Sequence, residues 1–237
     1  MLEVGQLSFS YGKKKVLRKL DLSFAAGEIH GILGMNGAGK TTLFNVLYGF
    51  LTPKDGQIMA SGNATQDHPI AYLETRNYFY PYLTGQEYLE LLSLGQSNYS
   101  IKHWNQLFEL PLDQIIDEYS TGMKKKLAFL GVLALDRPIL MLDEPFNGVD
   151  VESNEKIYQI LERIRGQGKL VILSSHIIGG LTRICDRISY LNQGIIQRTY
   201  LQEDFPELEE ELREQVRQKI DITLGELFDT KKQEPDS

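Results

Sequence analysis

The chain has a single cysteine, so no disulfide can form within it. Cys185 falls in an apolar pattern with Leu181, Ile184 and Ile188, which reads as a packed thiol in a reducing compartment. No apolar run approaches the ~18 residues that a membrane-crossing helix needs. The opening residues Met1, Leu2, Glu3 and Val4 carry no basic, apolar leader, so any membrane role is expected to come through a partner. The four histidines show no metal spacing with one another or with Cys185, and no structural metal is expected. Nor is there a basic excess: residues 1–201 hold twenty Lys/Arg and twenty Asp/Glu, which argues against nucleic acid as a partner. The net charge of −7 comes from residues 202–237, with five Lys/Arg against twelve Asp/Glu. What remains is the composition of an ordinary globular protein.

The most informative stretch is Gly34-Met-Asn36-Gly37-Ala38-Gly39-Lys40-Thr41-Thr42. It matches the GxxxxGK[ST] phosphate-binding loop in the context that pattern needs, an apolar strand before it and a helical run after it. Gly34, Gly37 and Gly39 allow backbone angles closed to other residues and let the main chain approach a polyphosphate. Converging N–H groups at a helix start then meet the phosphate oxygens. Lys40 reaches the β- and γ-phosphates, and Thr41 offers a hydroxyl to Mg²⁺.

Other stretches supply further parts. Strands are expected over residues 2–8, 16–24 and 28–33, with a short one near 57–60. Tyr11 has two readings, an aromatic that stacks on a nucleotide base or a half-exposed strand residue. After a strand at 70–73 comes a mostly helical insert, opened by a capping box of Thr84 and Glu87. Ser120 is suited to cap a second helix whose start carries Lys124, Lys125 and Lys126. These charges oppose the helix dipole unless a bound anion relieves them, or they form a solvated basic patch. The apolar strand at 138–142 ends in Asp143 and Glu144, positions suited to a Mg²⁺ ligand and to a residue polarising an attacking water. Another strand, at 169–173, ends in Ser174, Ser175 and His176, at the sheet edge where open α/β folds bind ligands. A hairpin is expected at 186–200. Leu208, Leu212, Val216 and Ile220 recur at i+4, predicting a helix that docks on the chain's own body, a partner site being the alternative. Residues 230–237 are polar and expected to be disordered.

Together these motifs resemble those of the ATP-binding cassette (ABC) ATPases. Residues 34–42 are similar to Walker A and residues 139–144 to Walker B with its catalytic glutamate. Residues 119–123 (Tyr-Ser-Thr-Gly-Met) resemble the cassette signature, and residues 147–150 the D-loop. His176 resembles the switch histidine and Tyr11 the adenine-stacking aromatic. Two departures stand out. The signature has Thr121 and Met123 where the family more often has Gly and Gln. The Q-loop glutamine is absent: ungapped, Thr75 falls at its place with Glu74 just before it, where a glutamate could still hold Mg²⁺ or water and a threonine would be a weaker substitute. The resemblance implies an α/β fold: a P-loop NTPase (RecA-like) core with an N-terminal antiparallel β-subdomain and a small α-helical subdomain at about 84–130. These would fill residues 1–200, with an acidic C-terminal helix and tail at 201–237. It also implies ATP and Mg²⁺ as ligands. In a head-to-tail pair, each ATP would be held between one subunit's Lys40 and Thr41 and the other's Ser120 and Gly122, with Asp150 of the D-loop as a further nucleotide-binding residue. The expected setting is a cytoplasmic ATPase, peripheral on the inner face of the membrane, which drives separate permease subunits, export favoured. The alternative is a soluble mechanical ATPase of a translation or DNA-maintenance type.

Overall fold

In the computed structural model, residues 1–60, 68–96 and 98–230 are described. The chain opens with strands β1 (Leu2–Tyr11), β2 (Lys14–Phe24) and β3 (Ile29–Leu33), followed by helix α1 (Lys40–Tyr48). Next come β4 (Asp55–Ala60), β5 (Ile70–Leu73), α2 (Gly85–Leu92), α3 (Ile101–Phe108), α4 (Thr121–Ala134) and β6 (Ile139–Asp143). The remainder is α5 (Val151–Gly166), β7 (Leu170–Ser175), α6 (Ile178–Thr182), β8 (Arg187–Asn192), β9 (Ile195–Leu201) and α7 (Phe205–Thr230).

Two sheets form. A three-stranded antiparallel sheet has the order β2-β1-β4, and a six-stranded one the order β5-β6-β7-β3-β8-β9, parallel except for β9. The central strands are apolar throughout because both faces are covered. Ile139 and Met141 of β6, with Leu170 and Ile172 of β7, pack towards α1 and the antiparallel sheet. Their alternates Leu140, Leu142, Val171 and Leu173 pack towards α4 and α5. This two-residue alternation sets the layers. The helical insert takes the expected form: Thr84 and Glu87 close their capping box, and Ser120 Oγ accepts from Met123 N at 3.2 Å to cap α4.

Three expectations change. β1 runs on to Tyr11, so that residue ends a strand and meets the Phe9 ring edge-on at 4.9 Å. The lysines of α4 need no anion, because each reaches an oxygen of this chain. Lys124 Nζ donates to Asp117 O at 3.2 Å, Lys125 Nζ to Glu144 O and Asn147 O, and Lys126 pairs with Asp150 at 3.4 Å. The C-terminal stripe docks only in part. Leu208 is fully buried and Leu212 packs on the core, but Val216 and Ile220 remain half exposed because the helix outruns the body beneath it. Its first turns are tied down by Tyr200 Oη donating to Glu211 Oε2 (2.6 Å) and Tyr190 Oη donating to Gln215 Oε1 (2.9 Å). The disorder expected of the last residues lies, from 231 on, outside the described residues.

Candidate active site

The neighbours β5, β6, β7 and β3 are parallel, so their carboxyl ends share one edge of the sheet. That edge gathers residues distant in sequence: Thr75 after β5, Asp143 and Glu144 from β6, Ser174 and His176 from β7, and the glycine loop after β3. Ligands bind at such edges in open α/β folds.

The loop fits a polyphosphate. Gly37 and Gly39 have φ of 83° and 113°, and Gly39 caps α1 without any side-chain hydrogen bond, leaving the first N–H groups of the helix to a ligand. At Gly34 a Cβ would lie 2.5 Å from Leu191 O, so only glycine lets the loop sit this close to β8. Lys40, buried, donates to Gly34 O at 2.6 Å and pairs with Glu144 Oε1 at 3.3 Å. His176 Nδ1 lies 3.0 Å from both Glu144 carboxylate oxygens. Glu144 thus stands between a lysine and a histidine, held at φ 53° in the left-handed region.

Asp143 is fully buried and accepts three hydroxyls, from Thr41 (2.7 Å), Thr75 (2.5 Å) and Ser174. The carboxylate and these three hydroxyls are oxygen ligands of the kind that suits Mg²⁺. Here Thr75, rather than Glu74, touches Asp143. Glu74 makes no hydrogen bond among the described residues and shares a small cleft with Thr41, Thr75 and Arg76. Burial, then the Asp143 charge, raises its pKa. Thr75 reaches Asp143 because the chain after β5 turns it towards β6.

A cleft of about 480 Å³ opens beside these groups, lined by Tyr11, Asn36, Gly37, Gly39, Lys40, Thr41, Thr42, Thr75 and Glu144. Ala38 lies buried in the loop, and its carbonyl accepts from Gly194 N at 3.0 Å. Sequence reasoning missed one wall: Lys14, Lys15 and Arg18 of β2, with Gln193 and Gly194 from the β8–β9 turn. The lysine run after Gly12 and the Gln193-Gly194 turn were visible, but only the fold brings them beside the loop. Gly194 has φ 77°, and a Cβ there would run into the Val16 carbonyl.

Ser120, Gly122 and Asp150 do not line this cleft. They cluster elsewhere, where a Cβ on Gly122 would lie 3.3 Å from Gly148 O. Asp150 caps α5 through Ser153 N at 2.8 Å. Its pKa falls to about 2, chiefly through that backbone bond, then the Ser153 hydroxyl, with Lys126 adding to it.

The fold and the site define a P-loop nucleotide hydrolase, and comparison with known proteins narrows this. The profile described as ABC transporter matches residues 17–147. The ATP-binding protein YtrB of Bacillus subtilis is 28% identical over 235 residues, covering 95% of this chain and 80% of YtrB. The bacitracin transport ATP-binding protein BcrA of Enterococcus faecalis is 30% identical over 207 residues, covering 82% and 67%. A dimeric post-hydrolysis structure of the cassette MJ0796 with ADP and Pi superposes with a TM-score of 0.75 at 23% identity, covering 85% of this chain and 99% of that one. The chain belongs to the ABC transporter family. Within it, the chain is an ATP-binding cassette whose ATP hydrolysis is coupled to transport.

Proposed function

We propose that this cassette powers export through separate membrane-spanning subunits, docked at the inner face of the membrane as one of a head-to-tail pair. The observation that carries the catalytic part is the grouping of Lys40, Glu144 and His176 within hydrogen-bonding or ion-pair distance at the sheet edge. Lys40 and the loop N–H groups of residues 34–42 hold the ATP phosphates, and Tyr11, half exposed at the rim, takes the base. Glu144 orients and polarises the attacking water, and His176 stabilises charge on the transferred phosphoryl group. Thr41 and Asp143 would hold Mg²⁺, with Thr75 or Glu74 at its margin; when bound, it neutralises charge on the phosphate oxygens. Ser120, Gly122 and Asp150 serve the partner's nucleotide. Residues 1–200 form the ATPase unit, with a helical subdomain at about 84–130, and 201–237 form an acidic appendage.

One observation supports a membrane partner. Tyr78, Tyr80 and Tyr82 stand 75%, 64% and 82% exposed just beyond Thr75, with Phe79 packed beneath them on Tyr88. Exposed aromatics on a fixed base suit a docking surface. The relative named for bacitracin transport supports a transport role, and the short helical insert supports export within it.

The test is affinity capture of tagged chain and its Glu144→Gln form from detergent-solubilised native membranes. Co-purification of a polytopic membrane protein is expected, stronger with Glu144→Gln. Capture of ribosomes, DNA or soluble protein alone would overturn the reading in favour of a mechanical ATPase.

A further inference from the structure

Lys125 is one of the few charged residues in the core, 7% exposed, yet it forms no ion pair with a carboxylate among the described residues. Its ammonium instead donates to two backbone carbonyls, Glu144 O at 2.5 Å and Asn147 O at 2.9 Å. Both carbonyls belong to the segment between β6 and α5. An ammonium can serve several acceptors at once, as its three donors rotate freely.

The segment it grips carries local strain. Glu144 lies at φ 53°, a conformation that a non-glycine residue holds only where its surroundings over-determine it. Asn147 N donates back to Glu144 O at 3.3 Å, and Ser174 anchors Glu144 N from the other side. With Lys125, the Glu144 peptide is fixed from both ends. The next residue repeats the attachment, Lys126 pairing with Asp150 at 3.4 Å. The start of α4, capped by Ser120, is thereby fastened to residues 144–150. Burial pushes the Lys125 pKa down, with Glu144 and Asp143 pulling it partly back.

We propose that Lys125 is a positioning residue for hydrolysis. It holds the Glu144 backbone at the angle that directs its carboxylate to Lys40 and His176, and it makes that angle depend on where α4 sits. The inference rests on the roles given above to Glu144 and Ser120. Given them, contact between Ser120 and the partner's nucleotide reaches Glu144 of the same chain through one side chain, linking the two sites of a pair.

The test compares ATPase kinetics, nucleotide affinity by a fluorescent ATP analogue, and thermal unfolding for the wild type, Lys125→Met, Lys125→Arg, Lys124→Met and Glu144→Gln. Lys125→Met should lower kcat about tenfold or more, since small misplacements of catalytic groups are costly, with KM and nucleotide affinity within about twofold. The rate should also become less steep with ATP concentration. Lys125→Arg should recover most of kcat, and Lys124→Met should match the wild type. If Lys125→Met fails to fold, Lys125→Gln carries the same measurements. Wild-type kcat in the folded Met or Gln variant, or an equal loss in Lys124→Met, would overturn the proposal. Wild-type turnover in Glu144→Gln would overturn the reading beneath it as well, whereas an inactive Glu144→Gln beside an active Lys125→Met overturns the link alone.

Discussion

The nucleotide cleft and the Ser120 face are built on opposite plans. In the cleft, buried groups hold one another: Asp143 takes three hydroxyls, and Glu144 lies between Lys40 and His176. At the other face, Ser120 and Asp150 bond chiefly to their own helices and stay open to solvent, with Gly122 between them in sequence. The cleft is a preorganised charge cluster in low dielectric, where electrostatic stabilisation of a transition state is strongest. The Ser120 face presents two helix N-termini, of α4 and α5, and the proposal above gives it to another subunit's nucleotide.

Four experiments would break or sharpen this contrast. The largest effect is expected in the cleft: Glu144→Gln should lower turnover by about 10²- to 10⁴-fold, the usual worth of a positioned general base, while ATP still binds. Steady-state ATPase and nucleotide binding check this, and retained turnover removes Glu144 from its role. Gly194→Ala comes next. It forces a Cβ into the Val16 carbonyl at φ 77° and should destabilise the chain by about 2 kcal/mol and weaken ATP binding, read by denaturant unfolding and titration.

The third prediction concerns pH. His30, buried near the start of β3 with Nε2 on Ser189 Oγ at 2.8 Å, has its pKa lowered from 6.5 to about 3 by burial, with Arg187 adding to the shift. The folded chain keeps His30 neutral, whereas the unfolded chain protonates it below 6.5. Its contribution to stability is therefore full above pH 6.5 and is lost as pH falls towards 3, at up to about 1.4 kcal/mol per unit. The wild type should lose stability more steeply than His30→Gln between those values, and parallel curves would refute it.

The smallest effect belongs to the open face. Ser120→Ala should cost about 1 kcal/mol of stability through the lost cap and leave ATP binding by the single chain unchanged, while slowing turnover where chains pair. A loss of single-chain affinity would place Ser120 in its own cleft and erase the contrast.

Much of the cleft was legible in the sequence, because the phosphate loop and the Asp143–Glu144 strand end are local patterns whose chemistry depends on spacing. The layers were legible for a related reason: a strand buried on both faces must be apolar throughout, as residues 139–142 and 170–173 are. The lysines of α4 were not. Residues 124–126 read as a charge conflict at a helix start, and only the packing of α4 against the segment after β6 gives each lysine its oxygen. That Thr75 bonds to Asp143 was likewise hidden, since it depends on which way the chain turns after β5.

The sequence by itself determined the nucleotide chemistry, the order of the elements and the acidic C-terminal helix, because each is written in contiguous residues. Tertiary structure decided the rest. It brought Lys14, Arg18 and Gly194 to the cleft wall, let α7 outrun the core beyond Leu212, and placed Lys125 under Glu144. Those relations join residues far apart in the chain, and only the register of the parallel strands and the packing of α4 on the sheet bring them within bonding distance.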